Sequence, residues 1–175
     1  NEEQRLAVEG IWTDYEKGIR KTYLLHGVTG SGKTEVYMEL IARVIGEGKQ
    51  AVVLIPEIAL TFQTVRRFHE RFGDRVSVMH SRLSEGERYD QFLRAKDGDI
   101  DVIIGPRSAL FAPFSRIGMI ILDEEHESSY KSETVPRYHA REAAVFRGNL
   151  CGASVVLGSA TPSVESYQHA AEGTY

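Results

Sequence analysis

One decapeptide narrows what this chain can fold into: His26-Gly27-Val28-Thr29-Gly30-Ser31-Gly32-Lys33-Thr34-Glu35. It fits the pattern G-x-x-x-x-G-K-[ST], with Gly27, Gly32, Lys33 and Thr34 on the fixed positions. Glycines let the backbone take positive φ and bring N–H groups close to a polyphosphate. Those N–H groups, with the start of a following helix, make a concave anion site. Lys33 supplies a point charge for the β- and γ-phosphates. The Thr34 hydroxyl is a hard oxygen ligand of the kind Mg2+ prefers. Thr29, Gly30, Ser31 and Glu35 complete the candidate loop. Thr22-Tyr23-Leu24-Leu25 reads as a short apolar strand ahead of it. Val36, Leu40, Ile41, Val44 and Ile45 form an amphipathic stripe at helical spacing behind it. A Gly/Ser turn with a solvated lysine leaves that strand–loop–helix order unexplained.

The rest of the chain alternates apolar runs with helical patterns. Glu2 to Lys17 reads as a helix stopped by Gly18. Gln50 to Ile55 is an unbroken apolar strand ended by Pro56, and Val65, Phe68 and Phe72 mark a helix whose other face carries Arg66, Arg67 and Arg71. Further strands are read at Arg75–Met79, Asp101–Gly105, Ile117–Leu122 and Ser154–Leu157. Ser84-Glu85-Gly86-Glu87 is a capping box opening a helix to about Lys96. Tyr138 to Arg147 looks helical. Thr161-Pro162 reads as a cap followed by proline at the first helical position. Continuous apolar strands between helices predict an α/β domain, with a mainly parallel sheet and helices on both faces. Ligands of such sheets bind beyond the carboxyl ends of the strands. The glycine loop, Pro56-Glu57, Asp123-Glu124 and Ser159-Ala160-Thr161 all directly follow strands, so they can share one rim.

Composition bounds the partners. The 175 residues suit a single domain over 1–175, and the abrupt ends suggest one excised from a longer chain. A formal charge of −4 gives no bulk attraction for nucleic acid, so any such site must be a local patch. The lone Cys151 excludes an internal disulfide and reads as an inert core thiol. There is no run of 18 apolar residues and no signal peptide, which favours a cytoplasmic protein without membrane contact.

Asp123 closes an aliphatic run, where a second Mg2+ contact is expected beside a phosphate loop. Glu124 follows, and a carboxylate there could take the proton of a water attacking the γ-phosphate of ATP. An ordinary acidic turn is the alternative. A phosphate loop, then Asp123-Glu124-Glu125-His126, then Ser159-Ala160-Thr161, is the ordered set of superfamily 2 helicases, and the chain resembles their first RecA-like lobe. More narrowly, it resembles the bacterial replication-restart helicase family. The matching pieces include Gly27–Tyr37, Pro56–Thr61, His80-Ser81, Gly105–Phe111, Ser128–Lys131, Arg137–Arg141 and Gly158–Pro162.

That resemblance implies ATP and Mg2+ held by Lys33, Thr34, Asp123 and Glu124, with His126 between the acidic pair and a second lobe. It makes Ser159 and Thr161 the coupling motif. Gln4 is similar to a glutamine that helps hold adenine, though a solvated helix-end glutamine fits equally. DNA contacts are implied at Thr61, whose hydroxyl opens a helix, and at Arg107-Ser108 in a loop after a strand. They are also implied in an aromatic-rich loop containing Tyr138, His139 and Arg141, whose rings can stack on unpaired bases. Each could instead be a plain cap, a surface arginine or a helix start. Implied partners are single-stranded or forked DNA, a second RecA-like lobe, and primosome and single-strand-binding proteins. The implied activity is ATP-driven 3′-to-5′ unwinding. Another P-loop NTPase, such as a DNA remodelling ATPase, is the competing reading, and the Ser159–Thr161 motif argues against it.

Overall fold

The computed structural model describes residues 1–28 and 30–175; Thr29 lies outside the described residues. Six parallel strands form one sheet: β1 (Thr22–His26), β2 (Gln50–Leu54), β3 (Val76–Val78), β4 (Val102–Gly105), β5 (Ile117–Leu122) and β6 (Ser154–Ser159). Their spatial order is β1-β6-β5-β2-β4-β3. Register places Leu54 opposite Leu122, Leu122 opposite Leu157, and His26 opposite Ser159. All six strands therefore point the same way, and their carboxyl ends make one rim. Beginning with β1, the chain jumps to β2 and later fills the gap with β5 and β6. That reversal creates the crevice in which ligands of such sheets sit.

The four inner strands, β2, β4, β5 and β6, are buried on both faces, which is why their sequences are continuous rather than alternating. Val53, Met119, Ile121 and Val156 face α1 (Glu2–Glu16), α2 (Lys33–Gly46) and α3 (Phe62–Phe72), where Trp12, Leu40, Ile41 and Phe68 complete one core layer. Val52, Leu54, Ile120, Leu122 and Leu157 face the opposite layer. That layer is built from α4 (Glu85–Asp97), α5 (Ala140–Cys151) and a 3-10 turn over Arg107–Phe111. The side-chain period of two splits each apolar run between two cores.

Several boundaries moved from the sequence reading. The capping box at Ser84 and Glu87 forms as expected. The last helix, α6 (Val164–Ala171), is capped by Ser163, not Thr161: it is the Ser163 hydroxyl that accepts the Ser166 N–H, while the Thr161 N–H goes to Ser159 Oγ. Helix α5 begins after His139, whose Nδ1 accepts the Arg141 N–H. Cys151 is exposed, correcting its reading as a core thiol: it ends α5, and Gly152 turns the chain away in the left-handed conformation. Arg66, Arg67 and Arg71 stand on an exposed face of α3. They pair with Glu70, Glu35 and Glu39, the last two across to α2.

Candidate active site

The glycine loop turns from β1 into α2, whose N-cap is Gly32 at φ 84°, with no side-chain cap bond. A fourteen-residue helix thus opens without a side-chain cap among the described residues, an arrangement suited to an anion. Lys33 Nζ donates to Gly27 O at 2.8 Å and lies 3.8 Å from Glu124 Oε1. Gly30, Gly32, Lys33, Thr34, Asp123 and Glu124 line one cleft of about 340 Å3, joined by Arg67 from α3. The amides after β1 and the carboxylates after β5 therefore converge, although 90 residues separate Lys33 from Asp123.

Each carboxylate of the acidic run is held differently. Asp123 receives the Tyr37 phenol at Oδ1, 2.9 Å away. Burial pushes the Asp123 carboxyl up, Tyr37 opposes that, and the neighbouring Glu124 charge adds to it. Glu124 has φ 48°, the one positive φ outside glycine among the described residues. A non-glycine residue in that region costs of order 1–3 kcal/mol and persists only when its surroundings enforce it. Here the flanking residues do so: the Asp123 N–H binds Leu54 O and the Glu125 N–H binds Gly158 O. Glu125 turns inward and is fully buried. It accepts from Ser163 N at 2.7 Å, Ser166 Oγ at 2.9 Å and Arg141 Nη1 at 3.1 Å. Burial alone would raise its carboxyl, but these bonds outweigh burial and leave it below the ordinary range.

His126 links the acidic run to the end of β6. Its Nδ1 sits 2.6 Å from Ser159 Oγ and 3.7 Å from Glu124 Oε2. Because Ser159 Oγ accepts the Thr161 N–H, a continuous polar path runs Lys33, Glu124, His126, Ser159, Thr161. Gln4 reaches the loop as well, donating through Nε2 to Ser31 O at 2.8 Å. With Ala7, Leu25, His26, Gly27, Ser31 and Lys33 it borders a second hollow of about 290 Å3, next to the phosphate loop. Glu35 is exposed and turned toward Arg67.

Further along the rim, Pro56, Glu57, His80, Ser81, Arg107 and Ser108 line a cleft of about 250 Å3. Thr61 is exposed, and its hydroxyl accepts from Thr64 N, so it is the cap of α3. The Arg107 guanidinium donates to Ser129 O at 2.6 Å. Tyr138 is half-buried, edge-on to Phe111 at 5.2 Å, and His139 is half-buried with its imidazole pKa lowered by burial and by Arg141. Arg141 does not match its expected place on the DNA face: its guanidinium is buried against Glu125 and Ser163, so its charge is spent inside the fold.

The DEAD/DEAH box helicase family model matches residues 2–170. The chain belongs to the DEAD/DEAH box helicase family. The chain is 54% identical over 174 residues to the replication restart protein PriA of Bacillus subtilis, covering 99% of this chain. It is 48% identical to the PriA of Chlamydia pneumoniae and 47% to that of Haemophilus influenzae, over 99% and 100% of this chain. It spans only 22–24% of those relatives. Among solved structures, it is similar to RecG bound to a three-way DNA junction, with TM-score 0.72 and 24% identity, covering 99% of this chain and 22% of that one. It is also similar to the Hef helicase domain of Pyrococcus furiosus, with TM-score 0.62 and 18% identity over 97% of this chain and 36% of that one. These likenesses establish a RecA-like fold. Helicases of this family bind ATP with a divalent metal and act on nucleic acid.

Proposed function

We propose that this chain is the ATP-binding lobe of a 3′-to-5′ DNA helicase acting in replication restart, coupling ATP hydrolysis to movement along single-stranded DNA. The observation that carries the reading is the convergence of Lys33, Thr34, Asp123 and Glu124 on one cleft at the sheet rim. The donor set fits Mg2+. Thr34 and Asp123 offer hard oxygens, and no group of three or more His, Cys, Asp or Glu that could hold a metal occurs among the described residues. Mg2+ commonly takes only one or two protein ligands, keeping waters and phosphate oxygens for the rest. When bound, it would neutralise charge building on the phosphate oxygens.

Lys33 would leave Gly27 O for the phosphates, and amides at the start of α2 would face the same oxygens. Glu124, held rigid at positive φ, would take the proton of the attacking water. His126, bonded to Ser159, would report the state of that carboxylate to the loop before α6. Gln4 would border the base. Thr61, Arg107 and Ser108 would meet the DNA backbone, and Tyr138 and His139 would stack on unpaired bases. The remaining partners would be a second lobe, primosome proteins and single-strand-binding protein, in the cytoplasm.

The test is ATP hydrolysis by the full protein with and without single-stranded DNA, together with strand separation on a fork. Stimulated turnover and unwinding are expected. DNA-independent turnover with no unwinding would refute the helicase reading.

A further inference from the structure

Tyr37 lies where three motifs meet. It sits one turn into α2, beyond Lys33, and is 1% exposed. Its hydroxyl donates to Asp123 Oδ1. Beside that bond is Gly158, near the end of β6. A Cβ built there would fall 1.6 Å from Tyr37 Oη and 3.4 Å from Asp123 Oδ1. The phenol can reach the carboxylate only because residue 158 is glycine.

The main chain of Asp123 is fixed independently. Its N–H binds Leu54 O at 2.9 Å, and its carbonyl accepts from Tyr130 Oη at 2.6 Å. Neither bond restrains the carboxylate itself. Tyr37 is the one side-chain donor to it among the described residues. Packing does not require the hydroxyl, since phenylalanine would fill the same ring volume.

We propose that Tyr37 is a positioning residue for the metal-carrying carboxylate: it pins Asp123 Oδ1 and so presets the group that meets the cation beside Thr34. Hydrogen bonds to a ligating carboxylate fix its orientation before binding, and losing one typically lowers metal affinity about 10- to 100-fold. Because Tyr37 belongs to the helix that starts at the phosphate loop, loop and carboxylate are aligned as one unit. The inference rests on the assignment of Asp123 to Mg2+ made above.

The experiment measures binding of a fluorescent ADP analogue to the full protein, across a Mg2+ titration and in EDTA. The wild type, Tyr37→Phe, Asp123→Asn and the double variant are compared. Tyr37→Phe should raise the Mg2+ concentration for half-maximal nucleotide binding about 10- to 100-fold. It should leave affinity in EDTA unchanged, and the double variant should match Asp123→Asn alone. A wild-type Mg2+ curve for Tyr37→Phe, with Asp123→Asn impaired, would overturn the role of Tyr37 only. Equal weakening with and without Mg2+ would reduce Tyr37 to a packing residue. Unaltered Mg2+ dependence in Asp123→Asn would remove the metal assignment itself.

Discussion

The Lys33 side chain is only 10% exposed and has two partners, Gly27 O and Glu124, within the protein. Its ammonium is therefore stored at the site rather than free in solvent. Lys33→Ala removes a charge-assisted contact worth about 1.5–3 kcal/mol, so nucleotide affinity should fall roughly 10- to 150-fold by equilibrium titration. Glu124→Gln keeps the size and the backbone but cannot accept the proton. Nucleotide binding should persist while turnover of the full protein drops about 10²- to 10⁴-fold in a phosphate-release assay. An unchanged rate would move the base elsewhere along the rim. That Lys33, Asp123 and Glu124 would share one cleft was legible in the sequence, because a spaced pattern names them and all follow strand ends. Tyr37 and Tyr130 were not: their meaning lies in which oxygen each phenol reaches across the sheet, and no spacing records that.

The acidic turn after β5, the start of α5 and the start of α6 are joined through Glu125. Arg141 is its buried counter-charge, so Arg141→Met would strand a carboxylate without its cation, a change costing about 3–5 kcal/mol. A melting temperature lower by roughly 6–20 °C is expected from that cost. Adding Glu125→Gln should recover part of it, and a full penalty in the double variant would deny the pairing. The sign with pH follows from Glu125 lying below its ordinary range when folded. Its contribution is present above the unfolded carboxylate pKa and is lost as pH falls through the lower folded value. Arg141→Met should therefore flatten the acid limb of a stability–pH curve. Tyr138 and His139 carry no such buried charge. Replacing both with alanine should remove stimulation by single-stranded DNA and spare basal turnover; equal loss of both would make the segment structural. The sequence misplaced Arg141 because an arginine among aromatic residues looks like a phosphate contact, and only the fold supplies Glu125 behind it. The cap of α6 was read at Thr161 because Thr161-Pro162 and Ser163 both fit a helix start, and only the fold shows which hydroxyl reaches an N–H of the first turn, that of Ser163.

At the scale of the molecule, one parallel sheet gathers six loops on a single rim, with the phosphate cleft at one part and the Arg107 cleft at another. Strand alternation and continuous apolar runs made this layout readable before any coordinates, because burial on both faces leaves few other ways to pair such strands. The layout also limits what these 175 residues can do. Among the described residues the cations lining the phosphate cleft are Lys33 and Arg67, and Arg67 is already balanced by Glu35. A cation supplied from a second lobe contributes roughly 10³–10⁵ in rate in related nucleotide hydrolases. Translocation further needs two bodies whose separation follows the nucleotide, and one sheet offers only one. The 175-residue chain alone should therefore bind Mg2+–ATP weakly, hydrolyse it slower than the full protein by about that factor, and leave a forked duplex intact. Phosphate release and strand displacement, measured side by side on the two proteins, check this. Robust strand separation by these 175 residues would mean that the catalytic charge and the moving part are both complete within a single sheet.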